Sequence, residues 1–171
     1  KRKKEQKKES RKVKTFQVPF SLEEITENNN ITSNINSKIS KEKIISNAFN
    51  YHAKGDILKA TKLYQLFIDK GYKDYRVFSN YGVILNDIGK SKEAALFLRK
   101  AIELNPDFAD NHYNLGKILI DLGQLQEAEI STRRAIELNP NFAKAYSNLG
   151  RILSDLGQLK KAELSTRKAI E

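Results

Sequence analysis

Cysteine, methionine and tryptophan are absent from this 171-residue chain, proline occurs three times and histidine twice. Without cysteine there is no disulfide, no thiolate metal site and no cysteine nucleophile, and a reducing cytoplasm is the expected compartment. His52 and His112 alone cannot build an imidazole metal site, so no metal or other cofactor is expected. No apolar run approaches the roughly 18 residues that span a bilayer, and no apolar stretch of the signal-peptide kind follows the basic N-terminus. The sequence reads as soluble and unexported. It does not open on Met and stops partway through a repeat, which reads as a piece of a longer chain, a processed N-terminus being the alternative.

Charge is present in excess but in one place. The net charge is +10, yet residues 1–14 hold nine Lys or Arg against two Glu, a net of +7, which leaves +3 for the other 157 residues. The basicity therefore belongs to a tail and says little about the rest. With many like charges and almost no apolar residue, 1–14 is expected to be disordered. Bound to phosphate backbones, to an anionic surface or to an import receptor, it would act by charge alone, because no aromatic residue is interleaved for base stacking. Residues 15–40 read as a polar linker rich in Asn, Ser and Thr. Within it, Ser21 and Glu24 have capping-box spacing, and Phe20 and Ile25 flank them as a hydrophobic staple would, marking one short helical turn.

From Lys41 onward the sequence repeats with a period of 34, giving units 41–74, 75–108, 109–142 and 143–171. The last two are nearly the same text: between Ala109–Glu137 and Ala143–Glu171, 19 of 29 positions are identical. A period of this length marks a supersecondary unit that buries its apolar face only by stacking on its neighbours. Each unit divides into two helices at Gly55, Gly89, Gly123 or Gly157, since glycine ends a helix at little cost in the left-handed conformation. Asn105-Pro106 and Asn139-Pro140 end the second helices of units two and three, because proline has no amide to donate and disfavours helix in the residue before it. Gly71-Tyr72 takes that place in unit one.

Gly82, Gly116 and Gly150 fall inside first helices, at a cost of about 1 kcal/mol each relative to alanine. Ala60, Ala94, Ala128 and Ala162 recur in the second helices. Small residues facing one another predict a close approach of the two helices, which a large side chain would split. Leu115, Leu119, Leu125 and Ile136 are expected in the layer between hairpins.

These residues resemble the tetratricopeptide repeat family. Its large residue, Leu-Gly, further Leu, two Ala and Pro are met in unit three by His112, Leu115, Gly116, Leu119, Ala128, Ala135 and Pro140. Unit two matches with Phe78, Tyr81, Gly82, Leu85, Ala94, Ala101 and Pro106, and unit four with Tyr146, Leu149, Gly150, Leu153, Ala162 and Ala169. Unit one departs most, with Ala48 for Gly and Tyr72 for Pro, and reads as an N-terminal capping unit. The likeness covers residues 41–171 and implies an all-α fold, a right-handed superhelical solenoid of four hairpins. Its concave groove would be lined by first helices and hold an extended peptide.

Asn80, Asn114 and Asn148 stand just before the Tyr-Gly or Leu-Gly pair of successive units and resemble the asparagine ladder in the repeat superhelix of O-linked N-acetylglucosamine transferases. A side-chain amide both donates and accepts, so a column of them can grip a peptide backbone without reading its sequence. The bland alternative is that these amides bond to a neighbouring helix or to water. Lys117 and Arg151 share one slot and, with Tyr113, are expected to tune selectivity from the groove, as are Arg76 and Lys144 near helix starts. Lys117 precedes Asp121 by four residues and Arg151 precedes Asp155 by four, so local pairing is expected to weaken the groove's field. A carboxylate clamp of the chaperone-binding kind is not reproduced, since Ile45 and Phe49, or Ser79 and Val83 one unit on, fill its slots. His112 is expected in the packing layer and His52 at the groove. Asp87, Asp121 and Asp155 are read as solvated charge or ligand contacts, no nucleophile or phosphate loop accompanying them.

The leading expectation is a non-enzymatic protein-interaction module that binds a peptide in its groove. The alternatives are the substrate-recruiting N-terminal region of a larger enzyme such as a glycosyltransferase or another transferase, as in bacterial multidomain proteins of this family, and nucleic-acid or anionic-surface association through residues 1–14. The last hairpin is also expected to expose an apolar face that self-association or a further repeat would cover.

Overall fold

The computed structural model describes residues 40–170. The basic tail, and all of the polar segment except Ser40, lie outside the described residues. Eight helices are found among those described: α1 (Lys41–Ala53), α2 (Ile57–Asp69), α3 (Tyr75–Asp87), α4 (Ser91–Leu104), α5 (Ala109–Asp121), α6 (Leu125–Leu138), α7 (Ala143–Asp155) and α8 (Leu159–Lys168). They pair as four antiparallel hairpins, and the second helix of each hairpin packs on the first helix of the next. The fold is all-α. First helices also touch one another, α3 with α5 and α5 with α7, so they form the inner layer of the stack.

Local chemistry sets the ends of each element. Gly55, Gly89, Gly123 and Gly157 all adopt φ between +73° and +84°. At Gly89 the amide of Lys90 reaches back to the Leu85 carbonyl (2.8 Å) and that of Gly89 to Asn86 (2.9 Å), the paired bonds that close a helix on a left-handed residue. Gly71, at φ +74°, does the same for α2 with Tyr72 bonding to Phe67, which is why unit one needs no proline. The first three helices are capped by side chains: Ser40, Asp56 and Asp74 accept from the amides of Lys43, Lys59 and Arg76.

The helices of a hairpin approach most closely at the internal glycines. A Cβ on Gly82 would lie 3.1 Å from the Ala94 carbonyl oxygen and 3.2 Å from Leu98 Cγ. On Gly116 it would run into Thr132 Oγ1, and on Gly150 into Thr166 Oγ1, with the Ala128 and Ala162 carbonyls 3.5 and 3.4 Å away. The expected glycine-to-alanine contact is thus to the alanine backbone, and the side chain that fills the gap comes from the residue one turn further along. Ala60, Ala94 and Ala128 are wholly buried at this seam, and Ala162 nearly so.

Between hairpins, Leu115, Leu119, Leu149 and Leu153 are buried as expected, while Leu125 and Ile136 are only half-buried. His112 is buried and its Nε2 lies 2.8 Å from the Pro106 carbonyl oxygen, which confirms its structural place. One slot of this layer holds Val77, Asn111 and Ala145 in successive units, all 0% exposed, and the Asn111 amide finds no protein partner for Nδ2 or Oδ1. Helix α1 differs on the same face. Lys43, Asn47 and Asn50 are exposed where later units bury Val77, Tyr81 and Ile84 or their equivalents, so the first hairpin turns a polar face to water.

Two stability predictions follow from these contacts. Gly116→Ala should destabilise the array by about 1–3 kcal/mol despite the better helix propensity of alanine, and adding Thr132→Ala should recover most of the loss. Thermal unfolding in which Gly116→Ala alone is stabilising would contradict the close approach. Asn111→Val, which copies the residue of unit two, should raise stability by about 1 kcal/mol or more, because it removes a buried unpaired amide. A lower melting temperature would show that Asn111 is satisfied in solution.

Candidate functional site

The inner face is built from the first helices, and the six residues expected there come from α3, α5 and α7. Asn80, Asn114 and Asn148 are all half-buried, one per helix at the same slot. They are in unlike situations. Asn80 is engaged within the fold: its side chain stands at the Tyr64 hydroxyl, whose ionisation it lowers, and that hydroxyl lies 3.0 Å from His52 Nδ1. Asn114 makes no hydrogen bond to another described side chain, and Asn148 Nδ2 is buried with no protein partner.

Tyr64 belongs to α2 and is completely buried. Its hydroxyl joins α1, α2 and α3 at the inner edge of the first two hairpins, and its ring packs near those of Phe49 (6.1 Å) and Tyr81 (6.5 Å). Burial pushes its ionisation up to about 12, only partly opposed by the Asn80 hydrogen bond. Phe49, His52, Ala53 and Asn80 line a shallow depression of about 380 Å³ above this network. His52 lies beside Asn80 at this depression. The hydrogen-bonded cluster itself was not foreseen. The signal for it in the sequence is Tyr64, which stands in the slot that Leu98, Thr132 and Thr166 fill in later units, opposite Ala48 and not Gly.

The basic residues of the inner face are arranged differently from expectation. Lys117 and Arg151 are exposed, and among the described residues neither forms an ion pair, so the local pairs with Asp121 and Asp155 are not made. The reason is chemical: each runs from a cation to an acid one turn later, the weaker orientation on a helix, and exposed long side chains gain little from closing it. Arg76, by contrast, is held by Asp74 in two contacts of 2.8 and 3.1 Å and lies 5.4 Å over the Phe49 ring. Tyr113 is half-buried against Phe142, with ring centroids 4.9 Å apart. No group of three or more acidic or histidine side chains among the described residues could hold a metal ion.

Helical hairpins stacked at a fixed period, with a polar inner face bearing unpaired amides and cations, define a protein-binding scaffold. The chain belongs to the tetratricopeptide repeat family. Models of that repeat match residues 75–108, 97–130 and 132–163, the last two in a frame that begins within a second helix. Among solved structures, MamA superposes with a TM-score of 0.72 at 23% identity over 77% of this chain and 77% of its own. A second MamA structure gives 0.69 at 26% identity over 76% and 71%. YrrB, described as a tetratricopeptide repeat protein with an unusual peptide-binding site, gives 0.70 at 24% over 77% and 68%. No curated protein matches the chain. No helix among the described residues is long and apolar enough to cross a membrane.

The ionisation of Tyr64 has a consequence for stability. A group whose ionisation is raised by folding contributes fully below its unfolded value, near 10, and loses that contribution as pH climbs through about 12. Unfolding free energies measured from pH 8 to 12 should fall by up to about 1.4 kcal/mol per unit from this group. Tyr64→Phe should flatten that fall while costing about 1 kcal/mol at pH 8 through the lost hydrogen bonds. Parallel curves for the two proteins would mean that the hydroxyl is not buried.

Proposed function

We propose that the inner face holds an extended peptide, gripped along its backbone by Asn80, Asn114 and Asn148 and selected by Lys117, Arg151 and Tyr113. The observation that carries this reading is Asn148: the residue is half-buried and stands in phase with two other asparagines, and its amide nitrogen is shielded from water with no protein partner. An asparagine inside a helix is unfavourable unless its amide finds work, and a peptide unit offers the matching donor and acceptor. Lys117 and Arg151, each three residues beyond an asparagine of the column and unpaired, add positive charge on the same inner helices and favour a peptide bearing Asp, Glu or a terminal carboxylate. Family membership supports the broader statement that the array binds protein partners.

Because Asn80 already serves Tyr64, the three asparagines should not contribute equally. A peptide selected from a random library on the wild-type array should bind at least tenfold more weakly to an Asn114→Ala, Asn148→Ala double variant, about 1 kcal/mol per lost amide contact. Asn80→Ala should weaken it less. Calorimetry that finds the double variant binding as tightly as wild type would remove the asparagines from the site.

A further inference from the structure

The three junctions between adjacent second helices can be compared slot by slot, and the third is built unlike the others. At the junction of α2 and α4, the Phe97 ring of α4 meets Phe78 at 6.0 Å and Tyr81 at 4.9 Å on α3, while the Tyr81 hydroxyl donates to Gln65 of α2 at 2.6 Å. Between α4 and α6, Ser131 takes the place of Phe97 and donates to the His112 carbonyl, and the junction is bridged by Arg99 and Glu127 at 2.7 Å. Between α6 and α8, Ser165 again replaces the aromatic ring and Arg133 keeps the slot of Arg99, but Lys161 stands where Glu127 was. Two cations cannot bridge. Arg133 turns back to Glu129 on its own helix (2.9 Å), and Lys161 to Gln158 (3.0 Å).

The result is an open notch of about 450 Å³ between α6 and α8. Its floor is apolar, made by Ile136, Leu149 and Leu153, and Leu164 walls it while remaining 63% exposed. Arg133, Lys161 and Lys168 stand at its mouth, Lys168 lying 5.7 Å over the Tyr146 ring. The acid on the rim, Glu137, is already paired with Arg134 at 3.1 Å. Among the described residues neither Lys161 nor Lys168 has a carboxylate partner.

We propose that this notch is a second docking site, distinct from the inner face, for an acidic peptide segment that inserts one or two apolar side chains. The apolar floor supplies the burial, and the basic mouth supplies the selection for Asp or Glu beside the inserted residue. Its concavity and its volume, within the range of pockets that enclose side chains, favour a peptide over a membrane, which presents no side chain to insert. The site exists because one residue, Lys161, breaks the bridge that closes the equivalent junction one unit earlier.

The test uses three fluorescein-labelled decapeptides: one with Leu and Phe spaced three apart among Asp and Glu, one with its acids changed to Lys, and one with Leu and Phe changed to Ser. The acidic apolar peptide should bind the wild-type chain saturably below about 1 mM, and more weakly as salt is raised. The other two should not saturate. Lys161→Glu restores the opposite charge found one unit earlier, so it should close the notch and weaken binding at least tenfold while leaving the melting temperature unchanged or higher. Lys161→Gln should fall between. In an Asn114→Ala, Asn148→Ala background, Lys161→Glu should weaken binding of this probe by the same factor as in the wild-type chain, which separates the notch from the inner face. Equal binding by Lys161→Glu overturns the proposal, as does binding by the acid-to-lysine peptide. So does Lys161-dependent uptake onto phosphatidylserine vesicles, or Lys161-dependent dimerisation, in place of peptide binding.

Discussion

At Gly82, Gly116 and Gly150 the two helices of a hairpin come close enough that no larger residue fits, and the stacking of the array is built on that approach. Each glycine costs helix stability locally and is kept because the facing backbone carbonyl, together with Leu98, Thr132 or Thr166, occupies the space a side chain would need. That approach fixes the distance between helices, and the distance fixes the angle at which one hairpin meets the next. Stacking then places first helices against one another on the inner side, so residues 34 apart form columns. The column of asparagines follows from the seam, just as the column of buried alanines does.

Once the seam holds the array in phase, individual slots are free to diverge, and the divergences carry the chemistry. Tyr64 in place of Leu or Thr brings His52 and Asn80 together and engages one asparagine of the column within the fold. Asn111, between Val77 and Ala145 in its column, leaves an amide unpaired in the packing layer. Lys161, in the slot of Glu127, stands at the notch between α6 and α8. None of these residues alters the fold, because each stands on a helix whose ends and neighbours are set elsewhere.

Much of this was legible in the sequence. The period, the turn glycines and the Asn-Pro pairs gave the helices and their pairing, and the alternation of large and small residues gave the buried layer and the place of His112. What escaped was the commitment of individual side chains. Asn80, Asn114 and Asn148 read alike, but the partner that distinguishes Asn80 lies 16 residues back on another helix, at Tyr64, and no local pattern announces it. Lys117 with Asp121 and Arg151 with Asp155 had the spacing of ion pairs and do not form them, since at an exposed surface spacing permits contact without enforcing it. Likewise, the open junction at Lys161 is visible only when three interfaces are compared in space.

We propose that the amides of Asn114 and Asn148 on the inner face hold a peptide backbone. Side-chain amide resonances of Asn80, Asn114 and Asn148, assigned by single substitutions and followed by NMR as a selected peptide is titrated in, test it most directly. The Asn114 and Asn148 signals should shift together and saturate with the peptide, while that of Asn80, beside Tyr64, should move least. Signals from Asn114 and Asn148 that stay still while the peptide saturates elsewhere on the array would contradict it.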